Sequence, residues 1–138
     1  MRKKLIYILL LFVICIFLTA CNKQKTIILL NNNPITKDNL LDNANLFSIN
    51  KRIYYIFISQ KPIKSEFIRV RVIKRDGEGG YKIPVTLLYS NDFRLKKEEV
   101  YYYTNYFVIH DPGEFFMSVY ELNDLRRPLS TTNFRVKN

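Results

Sequence analysis

The sequence predicts an all-β fold, an antiparallel β-sandwich of about seven short strands within residues 26–138. Three observations carry that expectation. In Phe67-Ile-Arg-Val-Arg-Val-Ile-Lys74, Ile68, Val70 and Val72 fall on one side and Arg69 and Arg71 on the other. Only a strand separates those sets, because successive side chains alternate across a sheet. The remaining apolar runs are rich in Ile, Val, Tyr and Phe, which suit a pleated, half-buried surface. Turn-forming clusters punctuate them: Asn31-Asn-Asn-Pro34, Asp76-Gly-Glu-Gly-Gly80 and Asp111-Pro-Gly113.

Thr26-Ile-Ile-Leu-Leu30 reads as the first strand. Residues 36–50 admit two readings. Leu40, Leu41, Ala44 and Phe47 fit one face of a helix capped by Thr36 or Asp38, or a loop tucks Leu41, Leu46 and Phe47 under a sheet. Ile53-Tyr-Tyr-Ile-Phe-Ile58 is apolar on both faces, as expected of a central strand. Val85-Thr-Leu-Leu-Tyr89 is a strand ended by Ser90-Asn-Asp92, and Val100–Ile109 is another, dense in tyrosine. Phe115-Phe-Met-Ser-Val-Tyr120 points Phe115, Met117 and Val119 inward, and Thr131–Val136 closes the set. Asp111, Gly113, Phe115, Met117 and Val119 stand at the spacing of Asp-x-Gly-x-Tyr-x-Cys-x-Val, the entry to strand F of immunoglobulin-like domains, and the sandwich resembles that family here. Phe115 lacks the hydroxyl of a tyrosine corner, and Met117 replaces the disulfide cysteine.

Ahead of these strands lies a segment with a different purpose. Arg2, Lys3 and Lys4 precede fourteen uncharged residues, Leu5–Leu18, too few to span a bilayer as a helix. Leu18-Thr19-Ala20-Cys21 follows, aliphatic, small, small, cysteine. In these features residues 1–21 resemble the signal of bacterial lipoproteins, whose lipobox has that pattern. The resemblance implies cleavage between Ala20 and Cys21, a diacylglycerol on the Cys21 thiol, frequent acylation (palmitate or a similar chain) of its amine, and an extracytoplasmic address in the cell envelope. Asn22, Lys23, Gln24 and Lys25 argue against an uncleaved helix running on to Ile27–Leu30, since Lys costs about 2.5–3.5 kcal/mol at mid-membrane.

Processing at that point leaves residues 21–138, 118 residues, enough for one core. Cys15 departs with the leader and Cys21 becomes a thioether, so no disulfide, thiol nucleophile or cysteine-based zinc site remains. Losing Arg2, Lys3 and Lys4 takes the basic residues from 22 to 19 against 12 acidic, a formal charge of +7. The charge of an exported, tethered protein either faces anionic lipid, lipopolysaccharide or a cell-wall polymer rather than nucleic acid, or serves solubility alone.

No catalytic constellation accompanies the strands. His110-Asp111 are neighbours whose side chains leave a strand on opposite faces. Asp76, Glu78, Asp92, Glu98 and Glu99 lack the spacing of a calcium loop, and Gly77-Glu-Gly-Gly80 lacks the Lys-Ser/Thr of a phosphate loop. No cofactor or metal is implied, and the reading points away from an enzyme. Two groups carry binding hypotheses. One is a basic face of Arg69, Arg71, Lys74 and Arg75, joined by Arg126 and Arg127, suited to carboxylate or phosphate partners or simply solvated. The other is the tyrosine set Tyr101–Tyr103 with Tyr106, with Tyr101 and Tyr103 foremost, either exposed interface anchors or packing between sheets. The expected function is a membrane-anchored envelope module that binds an envelope protein or an anionic polymer. A small-ligand or carbohydrate site built on the tyrosines is the alternative, and a pocket lined by two exposed tyrosines is its signature.

Overall fold

The structure is a computed structural model that describes residues 25–77 and 84–138. Ala20, Cys21 and the leader, and Glu78–Gly80 of the glycine-rich turn, lie outside the described residues. Among the described residues eight strands form: β1 Thr26–Asn31, β2 Leu46–Ser48, β3 Arg52–Ser59, β4 Phe67–Arg75, β5 Val85–Arg94, β6 Tyr102–Val108, β7 Gly113–Glu121 and β8 Ser130–Lys137. They build a sandwich of two sheets, ordered β1-β3-β6 and β2-β8-β7-β4-β5. β7, which carries the immunoglobulin-like spacing, lies between β8 and β4, the place of strand F between G and C.

Parity decides which side chains meet between the sheets. Ile53, Tyr55 and Phe57 of β3 face Ile68, Val70 and Val72 of β4 and Phe115, Met117 and Val119 of β7, all buried. Around Phe134 the aromatic rings stack on Phe115 (5.4 Å) and meet Phe47 edge-on (5.8 Å). Each such ring removes a large apolar area from water, so a core of this kind holds the sheets together without a disulfide. Tyr55 is fully buried, and its hydroxyl has no hydrogen-bond partner among the described residues. Burial pushes that phenol far above its ordinary range, so it stays neutral.

Three expectations need correction. Residues 36–50 form neither the helix nor the tucked loop as drawn. Lys37–Leu41 turn, Leu41 and Leu46 remain exposed, and only Phe47 enters the core. The short β2 that carries Phe47 runs parallel to β8, the one departure from an antiparallel plan among the described pairings. The strand expected to end at Ser90-Asn-Asp92 continues to Arg94, because those polar residues sit on an edge strand facing water and Asp92 is bonded across to β4. Opposite Val72 and Ile73 the pairing of β5 skips Leu88, a β-bulge.

Among the described residues, no helix is long and apolar enough to cross a membrane.

Candidate functional site

The outer face of the five-stranded sheet collects the arginines. Outward positions of β4 are Phe67, Arg69, Arg71, Ile73 and Arg75, and each arginine meets a partner in register. Arg69 donates from Nε and Nη2 to the two carboxylate oxygens of Asp92 at 2.6 and 2.8 Å, a bidentate pair. Those hydrogen bonds hold the Asp92 carboxyl below its ordinary range. Glu114 is shared, accepting from Arg135 at 2.7 Å with Arg75 at 3.7 Å. Arg71 differs from both. No carboxylate pairs with it among the described residues, and its guanidinium lies 5.1 Å from the centre of the Tyr120 ring; its Nε, like that of Arg75, is inaccessible and unpartnered. In register beside it stand Ser118 and Ser90, with the Ser118 hydroxyl 2.9 Å from that of Thr131. Asn45, Arg75, Glu114, Phe116, Asn133 and Arg135 line a polar depression of about 450 Å³ along the row nearest the Glu114 end.

Two assignments from the sequence change here. Lys74 pairs in register with the inward Phe115, so it leaves β4 on the opposite side from the arginines. Its stem crosses Gly113, where a Cβ would stand 2.8 Å from the Lys74 Cε; glycine at this position makes room for it. Arg126 and Arg127 are not on this face either; they lie in the β7–β8 loop at the end of the sandwich, with Arg126 bonded to Asp124.

The outer face of the three-stranded sheet is apolar and aromatic. Ile27, Ile58 and Tyr102 form one cross-strand row, Leu29, Ile56 and Thr104 the next, and Asn31, Tyr54 and Tyr106 the third. Chain from Pro34 to Asp42 folds back over the middle row. Asn39 ties the turn by accepting from Thr36 N–H (2.7 Å) and donating to the Pro34 carbonyl (2.9 Å). Asn43 Oδ1 accepts from Leu30 N–H at 3.0 Å, and Ala44 N–H donates to the Leu30 carbonyl, which seals the β1 edge. Between this segment and the sheet lies a groove of about 540 Å³ lined by Ile35, Leu40, Ile56, Ile58, Tyr101 and Tyr102.

The tyrosines therefore divide. Tyr101, Tyr102 and Tyr106 are exposed at 48%, 44% and 41%. Tyr103, singled out with Tyr101 from the sequence, is instead a core residue against Tyr55 and Phe93, its hydroxyl accepting from Asn105 at 2.9 Å. Parity held the signal that was missed: Phe107 must face inward, which puts Tyr103 inward and Tyr102 and Tyr106 out.

His110 is exposed, with Nδ1 2.7 Å from Asn50 Oδ1. Asp76 accepts from the Thr86 hydroxyl and Glu99 from Lys96 N–H, and among the described residues no cluster of His, Cys, Asp or Glu is placed to hold a metal.

No family model matches the chain, and no curated relative matches it. Solved structures do. The soluble domain of PmoD from Methylocystis sp. ATCC 49242 (Rockwell) aligns with 12% identity and a TM-score of 0.50, covering 85% of this chain and 94% of that one. The CARDB domain of a Pyrococcus furiosus protein, solved with two metal ions, aligns at 15% identity and TM-score 0.39, covering 86% and 97%. A β-glucosidase from Listeria innocua aligns at 10% identity and TM-score 0.41, and the match spans only 16% of the glucosidase. At such identities the PmoD likeness speaks for the fold alone, a β-sandwich domain.

Proposed function

We propose that this protein is a bacterial envelope lipoprotein, held at the membrane by acylated Cys21, whose β-sandwich is a non-catalytic binding module. Its recognition surface is the outer face of the five-stranded sheet, and its partner is an anionic envelope polymer or an acidic protein. Arg71 is the observation that supports this most. A guanidinium left without a carboxylate, steadied on a tyrosine ring and flanked by hydroxyls, is arranged to accept an anion from outside. Arg69 and Arg75, by contrast, already have their acids.

The anchor is tested by palmitate labelling in cells, which should be lost in Cys21→Ala. The surface is tested by retention on dextran sulfate against neutral dextran at 0.15 M salt. Arg71→Ala should weaken retention several-fold more than Lys51→Ala, which removes the same charge elsewhere. Equal losses would mean that bulk charge alone acts, and the recognition role of Arg71 would fall.

A small-ligand site is the second reading, favoured by the groove beside Tyr101 and Tyr102. A panel of mono- and disaccharides assayed by thermal shift decides it: a ligand that stabilises the wild type but not Tyr102→Ala supports the groove, and a silent panel removes the carbohydrate version.

A further inference from the structure

All the loops at one end of the sandwich converge where β1 begins. Gln60 N–H donates to the Lys25 carbonyl, Ser59 N–H to the Tyr101 carbonyl and Ile63 N–H to the Val100 carbonyl, while Thr26 Oγ1 bonds the Leu129 carbonyl. The β3–β4, β5–β6 and β7–β8 loops (60–66, 95–101 and 122–129) therefore surround Lys25 and Thr26. Cys21 is five residues from Thr26, a span of at most about 18 Å for a fully extended chain. An acyl group on that cysteine brings this end, and no other, to the bilayer surface.

The chemistry of that end suits such a neighbour. Its three loops carry Lys61, Lys64, Lys96, Lys97, Arg126 and Arg127 against Glu66, Glu98, Glu99 and Asp124, and Lys25 raises the formal excess to +3. Of the acids, Glu66 faces Arg94 at 3.8 Å and Asp124 is bonded to Arg126. At the opposite end, residues 49–51, 76–77 and 109–112 hold Lys51 against Asp76 and Asp111, a formal −1 with His110 neutral. The basic end also presents amphipathic surface: Ile27 is 48% exposed beside Ile58 and Tyr102, with Tyr101 next to it. Tyrosine is enriched at membrane–water interfaces, and basic residues near an anionic leaflet are each worth about fivefold in partitioning, at about 1 kcal/mol apiece.

We infer that the basic loop end, with Ile27, Tyr101 and Tyr102 at its rim, lies against anionic lipid headgroups as a second membrane contact beside the anchor. This rests on the lipoprotein reading. It sets the sandwich upright on the membrane, with the loop of His110 directed away from it.

The chain contains no tryptophan, so a single introduced one is a clean reporter. The acylated protein carrying Tyr102→Trp, and the same protein carrying His110→Trp, are reconstituted into vesicles of brominated phosphatidylcholine with and without 30% phosphatidylglycerol. The reporter at residue 102 should shift to the blue and be quenched at least threefold more than that at 110, more strongly with phosphatidylglycerol. Adding Lys61→Glu, Arg126→Glu and Arg127→Glu should abolish the excess. Equal quenching at the two positions overturns the inference, as does full access of a water-soluble quencher to residue 102 on the vesicles, which would leave the groove to a ligand from solution. Mass spectrometry of residue 21 in the same preparation separates the two claims. An unmodified Cys21 overturns the anchor reading and this inference with it, whereas an acylated Cys21 with equal quenching overturns only the inference.

Discussion

The two outer faces of the sandwich follow opposite rules. On the five-stranded sheet the outward positions of β4 alternate with the buried ones as a solvated strand should, with three arginines met by acids, hydroxyls or an aromatic ring, an exposed Phe67 and a half-buried Ile73. On the three-stranded sheet the outward row of Leu29 and Ile56 is as buried as the core, at 8% and 3%, because chain from Pro34 to Asp42 lies over it. A face left to water is specified by charge and register. A face covered by its own chain is specified by burial, and whatever part of it the cover does not reach remains apolar and exposed.

The sharpest way to break this comparison is to truncate equivalent isoleucines on the two sheets. Ile56→Ala should destabilise the fold by about 2–5 kcal/mol in urea unfolding, as for a core position. Ile73→Ala should cost about 1 kcal/mol, in keeping with half burial. Similar losses at both sites would show that the two faces are not distinguished by the overlying segment. Next in size is Asn43→Ala, which leaves the Leu30 N–H without its acceptor. We expect a loss of about 1–2 kcal/mol and faster hydrogen exchange along β1, with β8 unchanged.

The charged face should reveal itself through pH. Arg69 lowers the folded-state pKa of Asp92 below its unfolded value. The pair's contribution is therefore complete above about pH 4 and fades as pH falls through the lower folded value. Asp92→Asn should lower stability by a small, constant amount above about pH 4, a loss that shrinks as pH falls until the two profiles converge; an unaltered acid limb would mean the pair is silent. The smallest effect belongs to Tyr55→Phe. Removing a buried hydroxyl that has no partner among the described residues should leave the melting midpoint unchanged or slightly raised, and a fall of several degrees would reveal an unseen partner.

Much of the inner architecture was legible in the sequence, because a period of two is a direct consequence of the pleat. Ile68, Val70 and Val72, and Phe115, Met117 and Val119, are all fully buried where alternation put them. Legibility failed where a single residue shifts the face. Charge groups Lys74 with the arginines, although its parity is that of Val72. Of the tyrosines that admit either role, parity makes Tyr103 packing between the sheets and Tyr102 exposed. It failed again where tertiary context replaced local preference. Ser90-Asn-Asp92 has the composition of a turn, yet Arg69 supplies the charge that keeps Asp92 in a strand. The helical spacing of Leu40, Leu41 and Ala44 is not realised, since side-chain bonds to Pro34 and Leu30 hold the segment from Pro34 to Asn45 in turns. Arg126 and Arg127 could be assigned to an end of the molecule only once the order of strands was known.

The bulge in β5 has a consequence for crowding. β5 is a ten-residue strand at the border of its sheet, with Val85, Leu87 and Leu88 exposed at 55%, 57% and 40%. Copies of the domain crowded together would meet along such borders. The extra residue at Leu88 interrupts the even spacing of free amide and carbonyl groups that another copy would need for zipping on, and it twists the strand out of line. A single inserted residue thus helps crowded sandwiches stay separate units rather than join as a continuous ribbon.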